Sequence, residues 1–208
     1  MPLHRLVAIG ASAGGLDALE KLFDSLPAVS GTAFVVVQHL AADHKSTMDL
    51  ALARHTSLAV QVAEDGLELA PNGVYLIPPG KTMTPEGCQL RLAPRPRDQP
   101  LLPIDMFLRS AASTFRERLV AVILSGTGSD GSRGATAVKD AGGYVIAQHP
   151  DSARFDGMPR SAIATGLVDA VLDVEDIGKH LEKLLCMPLA PMLPAELHAV
   201  DGSGDAAE

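Results

Sequence analysis

The sequence predicts an α/β protein: a doubly wound, mainly parallel sheet with helices on both faces. Three observations predict it. Short apolar runs at 6–9 (LVAI), 32–37 (TAFVVV) and 119–124 (LVAVIL) show no polar alternation, as expected of strands buried on both faces. Segments with apolar residues at helical spacing separate these runs, and strand–helix alternation implies parallel pairing. Residues 72–92 break into short runs divided by Pro-Gly and Glu-Gly turns, which reads as an antiparallel hairpin excursion adding an edge to the sheet.

The first strand, 6–9, runs into a small-residue turn at 10–15 (GASAGG). A helix over 16–26 follows, with Leu16, Leu19, Leu22, Phe23 and Leu26 on one face, and Pro27 ends it. The second strand, 32–37, leads to Gln38, His39 and Leu40. Ser46 is placed to cap a helix over 47–55. A weaker strand is expected at 59–63. Within the excursion the strand-like runs are 74–77, 82–84 and 89–92, and a Pro- and Arg-rich loop covers 93–103.

The spacing of Ile104, Phe107, Leu108, Ala111 and Phe115 predicts a helix over 104–117. The run 119–124 is the most strand-like in the chain. It ends in a glycine-rich turn, 125–131 (SGTGSDG), and a helix over 132–141 follows, stopped by Gly142 and Gly143. A strand at 144–147 and a polar loop at 148–157 come next. Pro159 suits the first turn of a short helix reaching 164. A strand at 167–171 and a helix at 174–185, with Ile177, Leu181, Leu184 and Leu185 inward, complete the domain.

The 208 residues divide into one domain, 1–185, and a tail, 186–208. The tail holds Pro188, Pro191 and Pro194, four acidic residues and no Lys or Arg. It therefore carries half of the net charge of −8, and is expected to be disordered. A negative balance disfavours nucleic acid and anionic membrane surfaces, which need clustered Lys and Arg. The one basic knot, 91–97 (RLAPRPR), is broken by prolines and has no aromatics, so it reads as a solvated loop. Cys88 and Cys186 form no CxxC pair and read as reduced thiols. No apolar run approaches the roughly 20 residues of a membrane helix, and no signal peptide is discernible. A soluble, cytoplasmic protein is expected, without membrane insertion.

In an open parallel sheet, ligands bind beyond the carboxyl ends of the strands. Three such ends carry unusual chemistry: Ser12, His39 and Asp130. Serine, histidine and aspartate are the set used in nucleophilic acyl transfer. The histidine takes the serine proton, and the aspartate orients the imidazole and stabilises its cation. Each residue also has a plainer reading. GASAGG can serve close packing or cradle a phosphate, although it lacks the GxGxxG spacing and a following Lys. His39 can be a core histidine, His149 also follows a strand, and Asp130 can cap the next helix. His39 with Asp43 and His44 has some metal-ligand character, but no third ligand motif follows.

These residues resemble the catalytic domain of the chemotaxis protein-glutamate methylesterases, the CheB family. GASAGG resembles the family's nucleophile turn, VVVQHL its histidine strand and LSGTGSDG its aspartate loop, which carries those roles to Ser12, His39 and Asp130. APNGVYLIPPG, DMFLRSAA and GMPRSAIATGLVDAVL resemble further family segments. The resemblance implies hydrolysis of γ-glutamyl methyl esters on cytoplasmic helices of methylated chemoreceptors, with deamidation of receptor glutamines as a second activity. It implies an acyl-serine intermediate and neither metal nor organic cofactor. Backbone N–H groups of the 13–15 turn (Ala13, Gly14) and of the 126–128 loop (Thr127, Gly128) are the candidates for holding the oxyanion.

Three departures from the family pattern stand out. The chain begins at the catalytic strand, so control by a receiver domain in cis is not expected, and a separate receiver-type regulator is a candidate partner. Ala13 and Thr127 stand where Thr and Met are common, and His149 stands where an acidic residue is common. A non-catalytic signalling or scaffold module of the same fold is the alternative reading.

Overall fold

The computed structural model describes residues 3–27, 31–39, 47–96 and 102–188. The strands are β1 (Arg5–Ala11), β2 (Thr32–Gln38), β3 (Ala59–Val62), β4 (Gly73–Leu76), β5 (Lys81–Glu86), β6 (Gln89–Pro94), β7 (Leu119–Ile123), β8 (Tyr144–Gln148) and β9 (Ala170–Leu172). The helices are α1 (Gly15–Ser25), α2 (Met48–Leu52), α3 (Pro103–Phe115), α4 (Ser132–Asp140), α5 (Gly157–Ile163) and α6 (Val174–Cys186).

Seven strands form one parallel sheet in the order β3-β4-β2-β1-β7-β8-β9. β1 lies at its centre, with Leu6 opposite Ala33 of β2 on one side and Leu119 of β7 on the other. The chain winds outward from β1 through β2, then returns to start the other half at β7. The switch point therefore lies between β1 and β7, and in open sheets ligands bind beyond the carboxyl ends of the strands there.

Every residue of β1 and β7 is buried, because both faces are covered. Successive side chains alternate between the faces. Leu6, Ala8, Val35, Val37, Ala121 and Ile123 pack toward α3, α4 and α5. Val7, Ile9, Phe34, Val36, Val120 and Val122 pack toward α1, α2 and α6. This double coverage explains the unbroken apolar strands in the sequence.

The excursion is built differently from the expectation. Its first run, β4, is a parallel strand inserted between β3 and β2, and all four of its residues are buried. The antiparallel hairpin is β5–β6 alone, and it forms a separate two-stranded sheet rather than an edge of the main one. The physical difference is burial. GVYL has both faces covered, whereas the hairpin turns Met83 and Leu90 inward and leaves Lys81 and Arg91 exposed. With one apolar face it lies against α3, where Ser110 Oγ donates to Pro85 O at 3.3 Å.

The helix expected over 47–55 is only Met48–Leu52, and the His55 ring beyond it meets Asp24 of α1 at 3.0 Å. The proposed cap Ser46 lies outside the described residues, as does the tail beyond 188. The helix expected over 104–117 ends at Phe115 in a 3-10 turn, Arg116–Arg118.

α3 and α4 cross in direct contact at Gly134. A Cβ there would sit 2.6 Å from Leu108 Cβ and 3.2 Å from Asp105 Cα. Replacing Gly by Ala gains up to about 1 kcal/mol of helix propensity, but overpacking costs about 1–3 kcal/mol. Gly134→Ala is therefore expected to lower the unfolding free energy by roughly 1–2 kcal/mol, read as a lower urea midpoint at unchanged m-value. A gain in stability would contradict so close a crossing.

Candidate active site

Ser12 follows β1 directly and begins the turn into α1. Gly14 makes that turn possible: its φ is 69°, a conformation that costs glycine nothing and an L side chain about 1 kcal/mol or more. The Ser12 N–H donates to Ser125 O at 3.0 Å, and the Gly15 N–H donates back to Ser12 O at 2.8 Å. The turn is thereby tied both to itself and to the loop after β7.

His39 stands one residue beyond β2, the strand next to β1. Its Nδ1 lies 2.9 Å from Ser12 Oγ and its Nε2 lies 2.8 Å from Asp130 Oδ2. Asp130 ends the 124–131 loop and is 2% exposed. Its Oδ2 also accepts from the Ile104 N–H at 3.0 Å, and its Oδ1 accepts from the Asp105 N–H at 2.8 Å. These are first-turn amides of α3, which have no intrahelical acceptor. Pro103, at the start of that helix, has no N–H of its own. The carboxylate therefore meets three donors at the positive end of a helix.

This arrangement fixes the tautomer. An ionised carboxylate only accepts, so Nε2 carries the proton toward Asp130 and Nδ1 offers its lone pair to the Ser12 hydroxyl. The wiring is the reverse of the chymotrypsin template, where Nε2 faces the serine. The three residues that sequence analysis singled out come together in one hydrogen-bonded chain. The rival histidine does not join it. His149 begins the 3-10 turn after β8, with Asp151 and Asp173 each 4.0 Å from its Nδ1, and bonds to neither Ser12 nor Asp130. Asp43 and His44 lie outside the described residues.

A model of the family described as CheB methylesterase matches residues 7–181. The chain belongs to the CheB methylesterase family. The crystal structure of the CheB methylesterase catalytic domain from Thermotoga maritima is similar, with a TM-score of 0.78 and 33% identity, over 86% of this chain and 98% of that one. A Rhodobacter capsulatus protein, described as an uncharacterized 104.1 kDa protein in the hypE 3' region, is 60% identical over 64% of this chain and 14% of its own length. A protein-glutamate methylesterase/protein-glutamine glutaminase of Geobacter sulfurreducens is 36% identical over 86% of this chain and 50% of its own. One from Pseudomonas aeruginosa is 37% identical over 86% and 49%. The chain thus spans about half the length of those two relatives and a much smaller part of the first.

Four backbone donors around the turn after β1 have no acceptor among the described residues: the N–H groups of Ala13, Gly14, Thr127 and Gly128. Those of Gly15 and Gly126 are taken, by Ser12 O and Phe155 O. Gly126 sits between Met158 and Ser12; a Cβ on it would fall 2.2 Å from Met158 Sδ and 2.9 Å from Ser12 Cβ. Arg154 and Phe155 are exposed and flank the turn, with their side chains against Gly14.

Two further residues hold the turn, and the sequence reading missed both. Ser125 Oγ donates to Ala13 O at 2.9 Å and accepts from the Phe155 N–H at 3.0 Å. Gln148 Oε1 accepts from the Ser125 N–H at 2.9 Å, and its Nε2 donates to Ser152 O at 2.9 Å. Ser125 and Gln148 are each 1% exposed. The available signal was their position: each is a polar residue closing an apolar strand run, and such a residue needs a buried partner. Ser125→Ala would leave the Phe155 N–H and Ala13 O unpaired. It is expected to cost about 1–3 kcal/mol in urea unfolding. An unchanged midpoint would show that water replaces the hydroxyl.

Proposed function

We propose that the chain is a serine hydrolase that removes methyl esters from glutamate side chains of methyl-accepting chemoreceptors, through an acyl-serine intermediate. The observation that carries the reading is the continuous hydrogen-bonded chain from Ser12 Oγ through the His39 ring to Asp130. Membership of the CheB methylesterase family supports the reaction class. The name that the curated relatives bear, protein-glutamate methylesterase/protein-glutamine glutaminase, supports both ester and amide substrates.

In the first step Ser12 Oγ attacks the ester carbonyl carbon, and its proton passes to His39 Nδ1. The oxyanion would lie against the unused amides of Ala13 and Gly14 on one side and Thr127 and Gly128 on the other. One such donor is typically worth about 3–4 kcal/mol in the transition state. The C–O bond to the methoxy group breaks, and methanol leaves with the proton from Nδ1. Water then attacks the acyl-serine with Nδ1 again as base, releasing the glutamate carboxylate and regenerating the Ser12 hydroxyl. The Asp130 carboxylate keeps the Nε2 proton throughout and stabilises the transient imidazolium. A receptor glutamine would follow the same path, with ammonia in place of methanol.

The partners of this reading are the cytoplasmic helices of methylated chemoreceptors and a separate receiver-type regulator. The setting is the cytoplasm, and residues 1–185 are the methylesterase unit. No helix among the described residues is long and apolar enough to cross a membrane.

Ser12→Ala is expected to abolish methanol release from methylated receptor, and His39→Ala to lower it by about 10⁴-fold or more, whereas His149→Ala leaves it within a few-fold of the parent. Methanol is measured after transfer to the vapour phase. Labelling of Ser12 by a fluorophosphonate separates this reading from a scaffold role, because a non-catalytic module would not react. Full methanol release by Ser12→Ala would sink the assignment.

A further inference from the structure

Asp105 is a buried carboxyl group that the mechanism above does not use. It is 5% exposed and lies in the first turn of α3, where its own N–H holds Asp130. Its side chain points the other way. Oδ1 accepts from the Gly134 N–H at 2.7 Å, in the first turn of α4. The two aspartates therefore form a reciprocal clamp: Asp130, two residues before α4, caps α3, and Asp105, within α3, caps α4. Neither helix has a side-chain cap from its own N-cap residue. Gly134 lets the two helices approach closely enough for both bonds to form.

The clamp is asymmetric. Both oxygens of Asp130 are satisfied, whereas Asp105 Oδ2 is buried with no partner among the described residues. An ionised Asp105 would leave a bare anionic oxygen beside a second carboxylate, a costly arrangement. A neutral acid would leave only an unpaired hydroxyl. Burial first, and then the charge of Asp130, push the Asp105 carboxyl above the usual carboxylate range, against the Gly134 and Gly131 amides and Arg133, which pull it down. The charged groups facing it are Asp130 and Arg133, from the loop and first turn of α4. From the sheet, Gly10 of β1 lies against Ile104 and Ile123 of β7 lies against Gly131, and neither is titratable. The hairpin meets α3 further along, at Ser110, and Arg109 on α3 itself is exposed.

We propose that Asp105 is a positioning residue for the catalytic aspartate: it works as a protonated acid, locking α4 onto α3 so that Asp130 alone bears the negative charge facing His39. This rests on the hydrolase reading for its consequence in catalysis, but not for the protonation state. A neutral cap keeps the geometry of the clamp without adding a second charge to set the basicity of His39.

The test compares the full chain with Asp105→Asn and Asp105→Ala. The first readout is the rate of Ser12 phosphonylation by a fluorophosphonate as a function of pH, which requires no physiological substrate. Asn is neutral and keeps the oxygen that accepts from Gly134. Asp105→Asn is therefore expected to react at the parent rate, with the acidic limb of the profile at the same pH. Asp105→Ala loses the clamp and is expected to slow roughly 10- to 100-fold on the plateau. The second readout is infrared: at neutral pH the parent should show a protonated-carboxyl carbonyl stretch that Asp105→Asn lacks. Were Asp105 ionised, removing its charge would destabilise the His39 cation and move the acidic limb of Asp105→Asn to lower pH. That shift, a missing infrared band, or an Ala variant as fast as the parent would each overturn the proposal. If Asp105→Ala does not fold, the Asn profile and the infrared band still decide. A parent that never reacts at Ser12 would instead refute the hydrolase reading, and the infrared band would continue to test Asp105.

Discussion

The site depends on one buried carboxylate, that of Asp130, and on the helix end that receives it. A carboxylate removed from water is costly unless its oxygens find donors. Here the donors are two first-turn amides of α3 and the His39 ring. The same contact serves the helix, because Leu102 at its N-cap contributes no side-chain bond and Pro103 has no N–H to satisfy. Helix capping and triad assembly are thus one interaction. Its geometry requires α3 to enter the sheet beside β1, which it does by seating Ile104 against Gly10; a Cβ on Gly10 would lie 2.5 Å from Ile104 Cγ2.

The sheet explains why three residues far apart in sequence can share this site. β2, β1 and β7 are adjacent, about 4.8 Å apart, so the ends of the outer two lie about 10 Å from each other. Ser12 leaves the central strand. His39 leaves one neighbour and spans toward the other with its ring. Asp130 comes seven residues after β7, so its loop must travel out and fold back. It is brought back by the clamp between α3 and α4, not by the strand itself.

Much of this was legible in the sequence. Strands buried on both faces leave unbroken apolar runs, and the polar residues that follow their carboxyl ends share one edge of the sheet, which is why Ser12, His39 and Asp130 could be singled out. What was not legible lies in contacts between distant segments. β4 sits among turn residues and looks like part of the hairpin, and only its pairing with β2 and β3 makes it a parallel strand. That Nδ1 of His39 faces Ser12 follows from where the Asp130 carboxylate is anchored, which no local pattern carries. Ser125 and Gln148 are ordinary polar residues until the nucleophile turn is folded against them. Likewise the clamp pairs an aspartate inside one helix with the start of another.

Two of the departures from the family pattern, Ala13 and Thr127, lie in the turn after β1 and the loop after β7. Thr127 is exposed and Ala13 half-buried, and among the described residues neither backbone N–H has an acceptor. Asp130, only three residues beyond Thr127, is buried and held by α3. The loop therefore divides into a tip that can vary and a base that cannot move without unpairing a helix. Changes at 13 or 127 leave the Ser12–His39–Asp130 chain intact, because none of its bonds is made by those two side chains. A fold built this way can accept changes at the rim of the turn. The Ser12–His39–Asp130 chain stays fixed by a carboxylate that the helices themselves require.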